Sequence, residues 1–420
     1  MIRRAFSMLI LALALPGAVP AAQPPSPGDD ELLAMGREIP GFGGMFYDAA
    51  GYPTVYLRDP AAPAARLALK SLGGGEVRVL RGDYDFSQLV EWKRALRPVL
   101  LGRPGVVLLD ADEARNRVVV GIDPARAKSL DLDRLDQELD RQGVPRAAVV
   151  YEPVPVVHDL AGPLPDPPLE AARTRPVPTV HDAVRPIPGG VELTFLNPPH
   201  AYACTIGFNA YLGGAFGFVT NSHCTKGLGT VDGTLYSQGS NIYSPPVAVE
   251  IADPAYSSGG DCPVRMRCRS SDSSFARYNG NPTRLGSLGK LAKPTSRDAL
   301  AGSITLKPAG TRFNIVGTGT ASVGQVVNKV GITTGWTFGP VARACIDLAT
   351  DNDVVLFCQT LVAAGSDHGD SGSPVFSWTT GTSATLLGIL WGGGTSNGQQ
   401  VFAYSPFDSI QQELGTLRVR

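Results

Sequence analysis

The segment Gly369-Asp370-Ser371-Gly372-Ser373-Pro374 restricts the fold more than any other stretch of this 420-residue chain. A serine hydroxyl is a weak nucleophile at its free pKa, so a reactive serine needs an adjacent base and hydrogen-bond donors for the oxyanion. The glycine two positions before Ser371 lets the backbone turn, so that the N–H groups of Gly369 and Ser371 can point at one spot. An ordinary Gly-Ser turn has the same composition. The segment therefore predicts a nucleophile only together with a base elsewhere.

A histidine beside a cysteine supplies the candidate base. The run Val219-Thr220-Asn221-Ser222-His223-Cys224 ends an apolar segment, and Cys204 lies upstream, so a disulfide to Cys224 would fix the backbone that carries the imidazole. His368 adjoins Gly369 and is expected at the rim of the site. The other histidines lie in or next to proline-rich segments: His158, His181 and His200. We assign the base to His223.

A buried carboxylate must hold the imidazole in the correct tautomer and stabilise its charged form. Asp272 fits this role, because it follows the short loop between Cys262 and Cys268 and precedes small residues and an apolar strand. Asp253 and Asp261 are competitors. Asp253 lies in an Asp-Pro turn and Asp261 in a Gly-rich turn, so both are expected at the surface. Asp272 is the predicted third member.

The order of these residues along the chain separates the classes of serine hydrolase. His223, Asp272 and Ser371 run His, Asp, Ser, whereas subtilisins have Asp, His, Ser and α/β-hydrolases have Ser, Asp, His. An α/β-hydrolase also requires Gly-x-Ser-x-Gly, and position 373 is serine here. The order is that of chymotrypsin.

With these motifs, the second half of the chain resembles the chymotrypsin-like (trypsin-fold) serine peptidases, in particular secreted bacterial enzymes similar to α-lytic protease and the streptogrisins. The resemblance covers about residues 190–420. It implies an all-β double barrel of two six-stranded barrels, with the three residues at their interface and an oxyanion hole at Gly369 and Ser371. The segments that carry it are Cys204 to Cys224, Ser271-Asp272, Lys329 to Gly339, Gly369 to Pro374, and Leu390-Trp391-Gly392.

The resemblance also indicates the residues that bind substrate. In such enzymes the segment that matches Leu390-Trp391-Gly392 binds the backbone of a protein or peptide substrate as an added strand. Gly365 stands where trypsins have aspartate, so apolar residues are expected before the cleaved bond, rather than Lys or Arg. Asp367 keeps a basic preference open, since a shift of the loop would turn its carboxylate inward.

The N-terminus has the pattern of a secretory signal peptide. Arg3 and Arg4 precede an apolar run from Phe6 to Val19, and small residues follow for cleavage. A twin-arginine signal and a buried helix fit less well, the helix because prolines interrupt its last turn. Beyond these residues no apolar run approaches the roughly 20 residues that span a bilayer. We expect a secreted, extracellular monomer that has no membrane segment once the signal is removed.

Composition excludes other classes of protein. A formal net charge of −1 gives no excess of positive charge that would bind the phosphates of a nucleic acid.

The six cysteines fall into three close pairs, which favours disulfides in an oxidising compartment. Other connectivities stay open, whereas no spacing fits a zinc site. We expect no metal, no organic cofactor and the sequential pairs, which are Cys204 with Cys224, Cys262 with Cys268, and Cys345 with Cys358.

Charge divides the chain into two parts. Residues 30–160 hold 37 charged residues in 131 positions, whereas residues 190–420 hold 29 in 231. Residues 153–188 are rich in proline, which is typical of an extended, exposed linker. Arg173, Arg175 and Arg185 are the candidate cleavage positions there. The predicted parts are a signal peptide (1–21), a linker (22–40), a pro-region (41–156), a proline-rich linker with the maturation site (157–188) and a serine protease domain (189–420).

The pattern of the pro-region predicts a mixed α/β fold with a repeated ββαβ unit. No nucleophile, metal cluster or phosphate loop stands out in it. The resemblance implies that such a region assists folding and then inhibits the enzyme. The alternative is a catalytically silent, protein-binding homologue whose N-terminal domain is the working module. The predicted elements are strands at 45–47, 54–57 and 76–80 with a helix at 61–72, then strands at 106–109, 117–122 and 147–151 with a helix at 124–142, and an amphipathic helix at 86–100 between the copies.

Overall fold

The computed structural model of the chain describes residues 29–71, 77–160, 177–239, 244–280, 282–308, 310–350, 352–396 and 398–420. The predicted signal peptide lies outside these ranges, as do Arg173 and Arg175. The described helices are α1 (Asp29–Glu38), α2 (Pro63–Ser71), α3 (Phe86–Leu100), α4 (Leu132–Arg141), α5 (Pro282–Leu285) and α6 (Phe407–Leu414). None of these helices combines the length and the apolar character needed to cross a membrane.

The described strands fall into an N-terminal and a C-terminal set. The N-terminal strands are β1 (Phe42–Tyr47), β2 (Pro53–Leu57), β3 (Arg78–Arg81), β4 (Val106–Asp112), β5 (Arg117–Ile122), β6 (Val149–Pro153) and β7 (His158–Asp159). The C-terminal strands are β8 (Ile187–Gly189), β9 (Glu192–Asn197), β10 (His200–Thr205), β11 (Phe208–Leu212), β12 (Ala215–Thr220), β13 (Leu235–Gln238), β14 (Ala248–Ala252), β15 (Arg267–Arg269), β16 (Ser274–Tyr278), β17 (Gly286–Ala292), β18 (Arg312–Thr318), β19 (Val326–Gly331), β20 (Gly335–Ala349), β21 (Val354–Val362), β22 (Pro374–Trp378), β23 (Ser383–Ser396), β24 (Gln399–Pro406) and β25 (Leu417–Arg418).

The N-terminal region contains the ββαβ unit twice, with the same pairing in both copies. In the first copy β1 pairs antiparallel with β2, α2 follows, and β3 pairs parallel with β2. In the second copy β4 pairs antiparallel with β5, α4 follows, and β6 pairs parallel with β5. Helix α3 connects the copies, at the residues that its apolar spacing predicts.

Helix α1 corrects the expected boundary of this region. Residues 22–40 were assigned to a linker, but Leu32 of α1 and Ile39 are buried in one hydrophobic cluster with Phe86 and Leu89 of α3. The apolar positions of a short, acidic segment therefore pack on the N-terminal region. The folded part of the described chain begins at α1 and not at residue 41.

The C-terminal strands form two sheets. The first is an eight-stranded antiparallel sheet in the order β10-β9-β13-β14-β16-β12-β11-β25. In the second, β21-β24-β23-β22-β19-β20 form a closed ring of six antiparallel strands, because β20 also pairs with β21. The pairings of the first sheet give an open order, so a closed first barrel remains a prediction.

The second sheet continues into the N-terminal region. Strand β20 pairs antiparallel with β4, with Asp347 opposite Leu109 and Leu348 opposite Leu108. The sheet then runs through β5 to β6. The two regions are therefore joined by backbone hydrogen bonds as well as by side chains.

The structure joins the six cysteines in the three sequential pairs. Cys204 is the last residue but one of β10 in the first sheet, and Cys224 lies in the short turn Ser222–Cys224 that carries His223. Both sulfurs are buried in the largest hydrophobic cluster, among the aromatic side chains of the first sheet. This disulfide links the strand β10 to the histidine turn.

We predict that this disulfide contributes more to stability than the short one. The loops closed are 20 residues for Cys204–Cys224 and 6 for Cys262–Cys268. In the chain-entropy model this difference is worth about 1 kcal/mol. Urea unfolding of the two double Cys→Ala variants, both made with Ser371→Ala to prevent self-digestion, measures it. Equal losses, or a larger loss for the 262–268 variant, would contradict the prediction.

Candidate active site

Three side chains from separate segments meet at the ends of strands from the two C-terminal sheets. His223 lies in the turn after β12, Asp272 lies just before β16, and Ser371 lies just before β22. His223 Nε2 is 2.7 Å from Ser371 Oγ, and His223 Nδ1 is hydrogen-bonded to Asp272 Oδ2. The imidazole therefore lies between the carboxylate and the hydroxyl.

Strand pairing brings the first two residues together. Thr220, the last residue of β12, is opposite Ser274, the first residue of β16, so the residues just outside these strand ends are neighbours. Asp272 Oδ1 then accepts the backbone N–H groups of Ser222 (2.8 Å) and His223 (3.2 Å). One carboxylate thus holds both the histidine turn and the imidazole.

The pKa values of the pair shift in the directions expected of an ion pair. Burial lowers the pKa of His223, but the charge and hydrogen bond of Asp272 raise it by more, so it lies above its ordinary value. Burial raises the pKa of Asp272, but His223 and Arg269 lower it by more, so it lies below its ordinary value. The site is therefore arranged to stabilise a protonated imidazole beside an ionised carboxylate.

The expectation that Asp253 lies at the surface is wrong. Asp253 is only 5% exposed, and its carboxylate accepts hydrogen bonds from Ser222 Oγ (2.8 Å) and Arg269 Nη1 (2.9 Å). An Asp-Pro sequence is typical of a turn, but the guanidinium of Arg269, the last residue of β15, compensates the buried charge. Asp253 therefore supports the histidine turn. Asp261 is exposed, as expected, and forms an ion pair with Arg97.

The glycines of the serine motif are required by the backbone. Gly369 has φ +95°, and a Cβ there would lie 2.8 Å from Thr333 Oγ1. Gly372 has φ +88°, and a Cβ there would lie 2.1 Å from the carbonyl oxygen of Thr205. A side chain at either position would combine strain with collision. The motif is therefore more than a flexible turn.

A buried ion pair beneath Ser371 was not predicted from the sequence. Lys329 Nζ lies 2.8 Å from Asp370 Oδ2, and neither side chain is exposed. Asp370 also accepts the N–H of Thr333 (2.9 Å) and the hydroxyl of Thr334 (2.6 Å). A lysine within the apolar run of β19, together with an aspartate inside the serine motif, is the signal that could have revealed the pair. It fixes the loop that carries the serine.

A segment of the N-terminal region occupies the cleft beside these residues. Strand β7 pairs antiparallel with β23, with Asp159 opposite Gly392 and His158 opposite Gly393. The N–H of Leu160 donates to Trp391 O at 3.4 Å, and the N–H of Gly369 donates to the carbonyl oxygen of Leu160 at 3.0 Å. The edge predicted to bind a substrate backbone thus pairs with the chain's own residues.

This pairing corrects the assignment of residues 157–188 to an exposed linker. Val157 and Leu160 are buried in the cleft, and Val180 and Ile187 are buried in the core of the C-terminal region. The apolar residues between the prolines pack against the C-terminal region, which the proline content alone did not indicate. Residues 161–176 lie outside the described part of the chain.

The remaining predicted substrate-binding residues differ in position. Leu390, Trp391 and Gly392 all lie on β23, the strand that pairs with β7, and the side chains of Leu390 and Trp391 are buried. Gly365 is packed against another loop, since a Cβ there would lie 1.9 Å from the carbonyl oxygen of Leu300. Asp367 is exposed, and its carboxylate accepts the N–H of His368. His368 is also exposed.

One group of potential metal ligands occurs among the described residues. It consists of Cys204, His223 and Cys224, whose ligand atoms lie within 4.8 Å of one another. The two sulfurs are joined in a disulfide and so offer no thiolate.

Solved structures of bacterial proteases match 56% of the chain. Thermobifida fusca Protease A is 21% identical, with 56% of this chain and 97% of that chain covered and a TM-score of 0.39. A glutamic acid specific serine protease is 24% identical (56% and 100% covered, TM-score 0.40), and α-lytic protease homolog N4 is 20% identical (56% and 99% covered, TM-score 0.39). These structural neighbours are bacterial chymotrypsin-like proteases. No protein-family model matches the chain, and no match was found among curated proteins.

The buried ion pair gives a prediction about stability. Lys329→Met would leave the Asp370 carboxylate buried without its cation, and removing one partner of such a pair costs about 3–5 kcal/mol. We expect urea unfolding of the variant, in the Ser371→Ala chain, to show a loss of this size. Adding Asp370→Asn should recover part of it, because the uncompensated charge is then gone.

The exposed Lys290 provides a matched control for this prediction. Lys290→Met removes the same side chain from the surface, where Nζ donates a hydrogen bond to Asn314 Oδ1. We expect a loss below about 1 kcal/mol for it. A similar loss for both lysine variants, or no recovery in the double variant, would contradict a stabilising role of the pair.

Proposed function

We propose that residues 189–420 form a serine endopeptidase that is secreted as a zymogen. The observation that carries this proposal is the position of His223 between Asp272 and Ser371, with Nε2 2.7 Å from Oγ. The substrate is a protein or peptide, and no metal or organic cofactor takes part in the proposed reaction. The fold of the matched bacterial proteases agrees with this proposal, but the proposal does not rest on that similarity.

Each of the three residues has one role in the proposed reaction. Ser371 Oγ attacks the carbonyl carbon of the substrate while His223 Nε2 takes the hydroxyl proton. His223 then donates that proton to the leaving amine, which gives an acyl-enzyme, and a water molecule releases the acid product by the same route in reverse. Asp272 keeps the Nδ1 proton of His223 in place and stabilises the imidazolium.

The oxyanion of the tetrahedral intermediate is assigned to the N–H groups of Gly369 and Ser371. The support for Gly369 is its hydrogen bond to the carbonyl oxygen of Leu160, at 3.0 Å. A donor that already holds a peptide carbonyl is positioned for the charge that develops on it. The assignment of the Ser371 N–H as the second donor is based on the sequence motif Gly369-Asp370-Ser371-Gly372.

The N-terminal region is proposed as a pro-region that assists folding and inhibits the enzyme. Residues 157–160 fill the cleft, so an external substrate cannot pair with β23 at Gly392 and Gly393. Further contacts hold the region on β20: Arg343 Nη1 is 2.8 Å from Asp110 Oδ2, and Arg97 Nε is 2.8 Å from Asp347 Oδ2. Inhibition thus follows from occupancy of the cleft.

The rival is a catalytically silent homologue whose N-terminal domain is the working module. The proposed endopeptidase and the silent homologue differ in the expected reactivity of Ser371, because only the endopeptidase requires an activated hydroxyl there. A fluorophosphonate probe reports that reactivity directly.

We predict that Ser371→Ala abolishes both peptide hydrolysis and fluorophosphonate labelling of the mature protein, because the nucleophile is gone. The expected loss of kcat is about four to six decades. Ser258→Ala, at an exposed serine, is the matched control and should keep both activities. Retention of more than about a tenth of the activity in Ser371→Ala would exclude Ser371 as the nucleophile.

A second prediction concerns pH. The kcat/KM of the mature enzyme should fall as the pH drops through the pKa of His223, about tenfold for each pH unit below it, because a protonated imidazole accepts no proton. Burial lowers this pKa, but Asp272 raises it by more. Asp272→Asn should therefore move the midpoint to lower pH and reduce kcat by about four decades. An unchanged midpoint would show that Asp272 does not set the pKa.

A further inference from the structure

We propose that the peptide bond after Leu160 is the chain's own first substrate, and that the enzyme prefers a medium-sized aliphatic side chain before the cleaved bond. This inference rests on the proposed function. It identifies both a processing position and a class of substrate, and each follows from the way residues 157–160 lie in the cleft.

The backbone register brings the carbonyl group of Leu160 to one of the two N–H groups assigned to the oxyanion hole. Asp159 and His158 pair with Gly392 and Gly393, and the N–H of Leu160 donates to Trp391 O. The next group along the chain, the carbonyl of Leu160, accepts the N–H of Gly369, two residues before Ser371. The segment is therefore bound as an antiparallel added strand whose carbonyl group at residue 160 reaches the oxyanion donor.

The side chain of Leu160 enters an apolar pocket. Leu160 is 7% exposed and belongs to a hydrophobic cluster that includes Val362, Ala364 and Leu390. A Cβ at Gly393 would lie 3.2 Å from Leu160 Cδ1, so the glycine leaves the space that the leucine fills. Burial of an aliphatic side chain there removes apolar surface from water.

The charges near the pocket do not favour a basic residue. Asp367, the acid that the sequence leaves open as a partner for such a residue, is exposed, and its carboxylate accepts the N–H of His368. A lysine or arginine at position 160 would place its charge among apolar side chains such as Val362 and Leu390, which is costly. The pocket therefore selects against the three arginines that the sequence offered as cleavage positions.

The preceding residue faces a polar part of the cleft. Asn352 Nδ2 donates to Asp159 Oδ2 at 3.5 Å, and Asp159 lines a cavity together with His223, Tyr256 and Trp391. The negative charge of Asp159 also contributes to raising the pKa of His223. An acidic residue before the aliphatic one is thus accepted in this site.

The chemistry of the first cut is that of ordinary peptide hydrolysis. Ser371 Oγ forms an ester with the carbonyl carbon of Leu160, and the C–N bond to residue 161 breaks. The amine of residue 161 leaves with the proton that His223 took from Ser371. Water then cleaves the ester, which restores the Ser371 hydroxyl and leaves Leu160 with a free carboxylate. Because the segment already lies in its own cleft, this first cut is intramolecular.

N-terminal sequencing of the first product of the full-length chain tests the processing position. We expect Ala161 as the first residue, and a rate that does not change when the protein is diluted tenfold. Leu160→Arg should slow the appearance of this product at least 100-fold, whereas Leu160→Met should stay within threefold. The triple variant Arg173→Ala, Arg175→Ala and Arg185→Ala is the matched control and should process normally. A first product that begins after one of these arginines, or unchanged processing in Leu160→Arg, would overturn the inference.

Peptide substrates test the preference without depending on the folding of a variant. Acylated Val-His-Asp-X p-nitroanilides, with X as Leu, Met, Arg or Glu, should give a kcat/KM for Leu and Met at least tenfold above Arg and Glu. Arg or Glu ahead of Leu would overturn the aliphatic preference. Casein hydrolysis and fluorophosphonate labelling of the same preparation distinguish failure of this inference from failure of the proposed function. If the preparation hydrolyses casein and is labelled, a preference for Arg or Glu refutes only this inference. If it does neither, the proposed function is refuted.

Discussion

The buried carboxylate of Asp370 is the constraint on which the candidate active site depends. It lies next to Ser371, and its charge is compensated by Lys329 and by hydrogen bonds from the loop at Thr333 and Thr334. Because a buried charge is tolerated only with such partners, the carboxylate ties the serine loop to strand β19 and to the loop after it. The left-handed backbone at Gly369 is thereby held in the position from which its N–H reaches Leu160.

The same principle explains the histidine side of the site. Asp272 and Asp253 are both buried, and each accepts at least one hydrogen bond from the turn that carries His223. Asp272 holds two backbone N–H groups and the imidazole, whereas Asp253 holds Ser222 and the guanidinium of Arg269. The two candidate acids therefore have different roles, and the hydrogen bond of Asp272 to the imidazole distinguishes it from Asp253.

Much of this arrangement could be predicted from the sequence, and the remainder depends on contacts between distant segments. His223 and Ser371 lie in short motifs whose neighbouring residues are informative, and the repeated ββαβ unit follows from alternating and helical apolar patterns. The pair of Lys329 with Asp370 spans 41 residues, and the burial of Asp253 depends on Arg269, 16 residues further along the chain. A charged residue within an apolar run is visible in the sequence, but its partner in a distant segment is not identified by any local pattern.

The pairing of β7 with β23 could not be predicted for a related reason. Its proline-rich surroundings favour an exposed segment, and its burial results from the free edge that β23 offers to an extended chain. Hydrolysis after Leu160 would leave this pairing intact, because the backbone contacts at Gly392 and Gly393 lie on the side of the cut that stays with the N-terminal region. The β4–β20 pairing and the ion pairs of Arg343 with Asp110 and Asp112 would also persist. Cleavage alone therefore does not free the cleft, and release of the enzyme requires that the N-terminal region dissociate or be degraded.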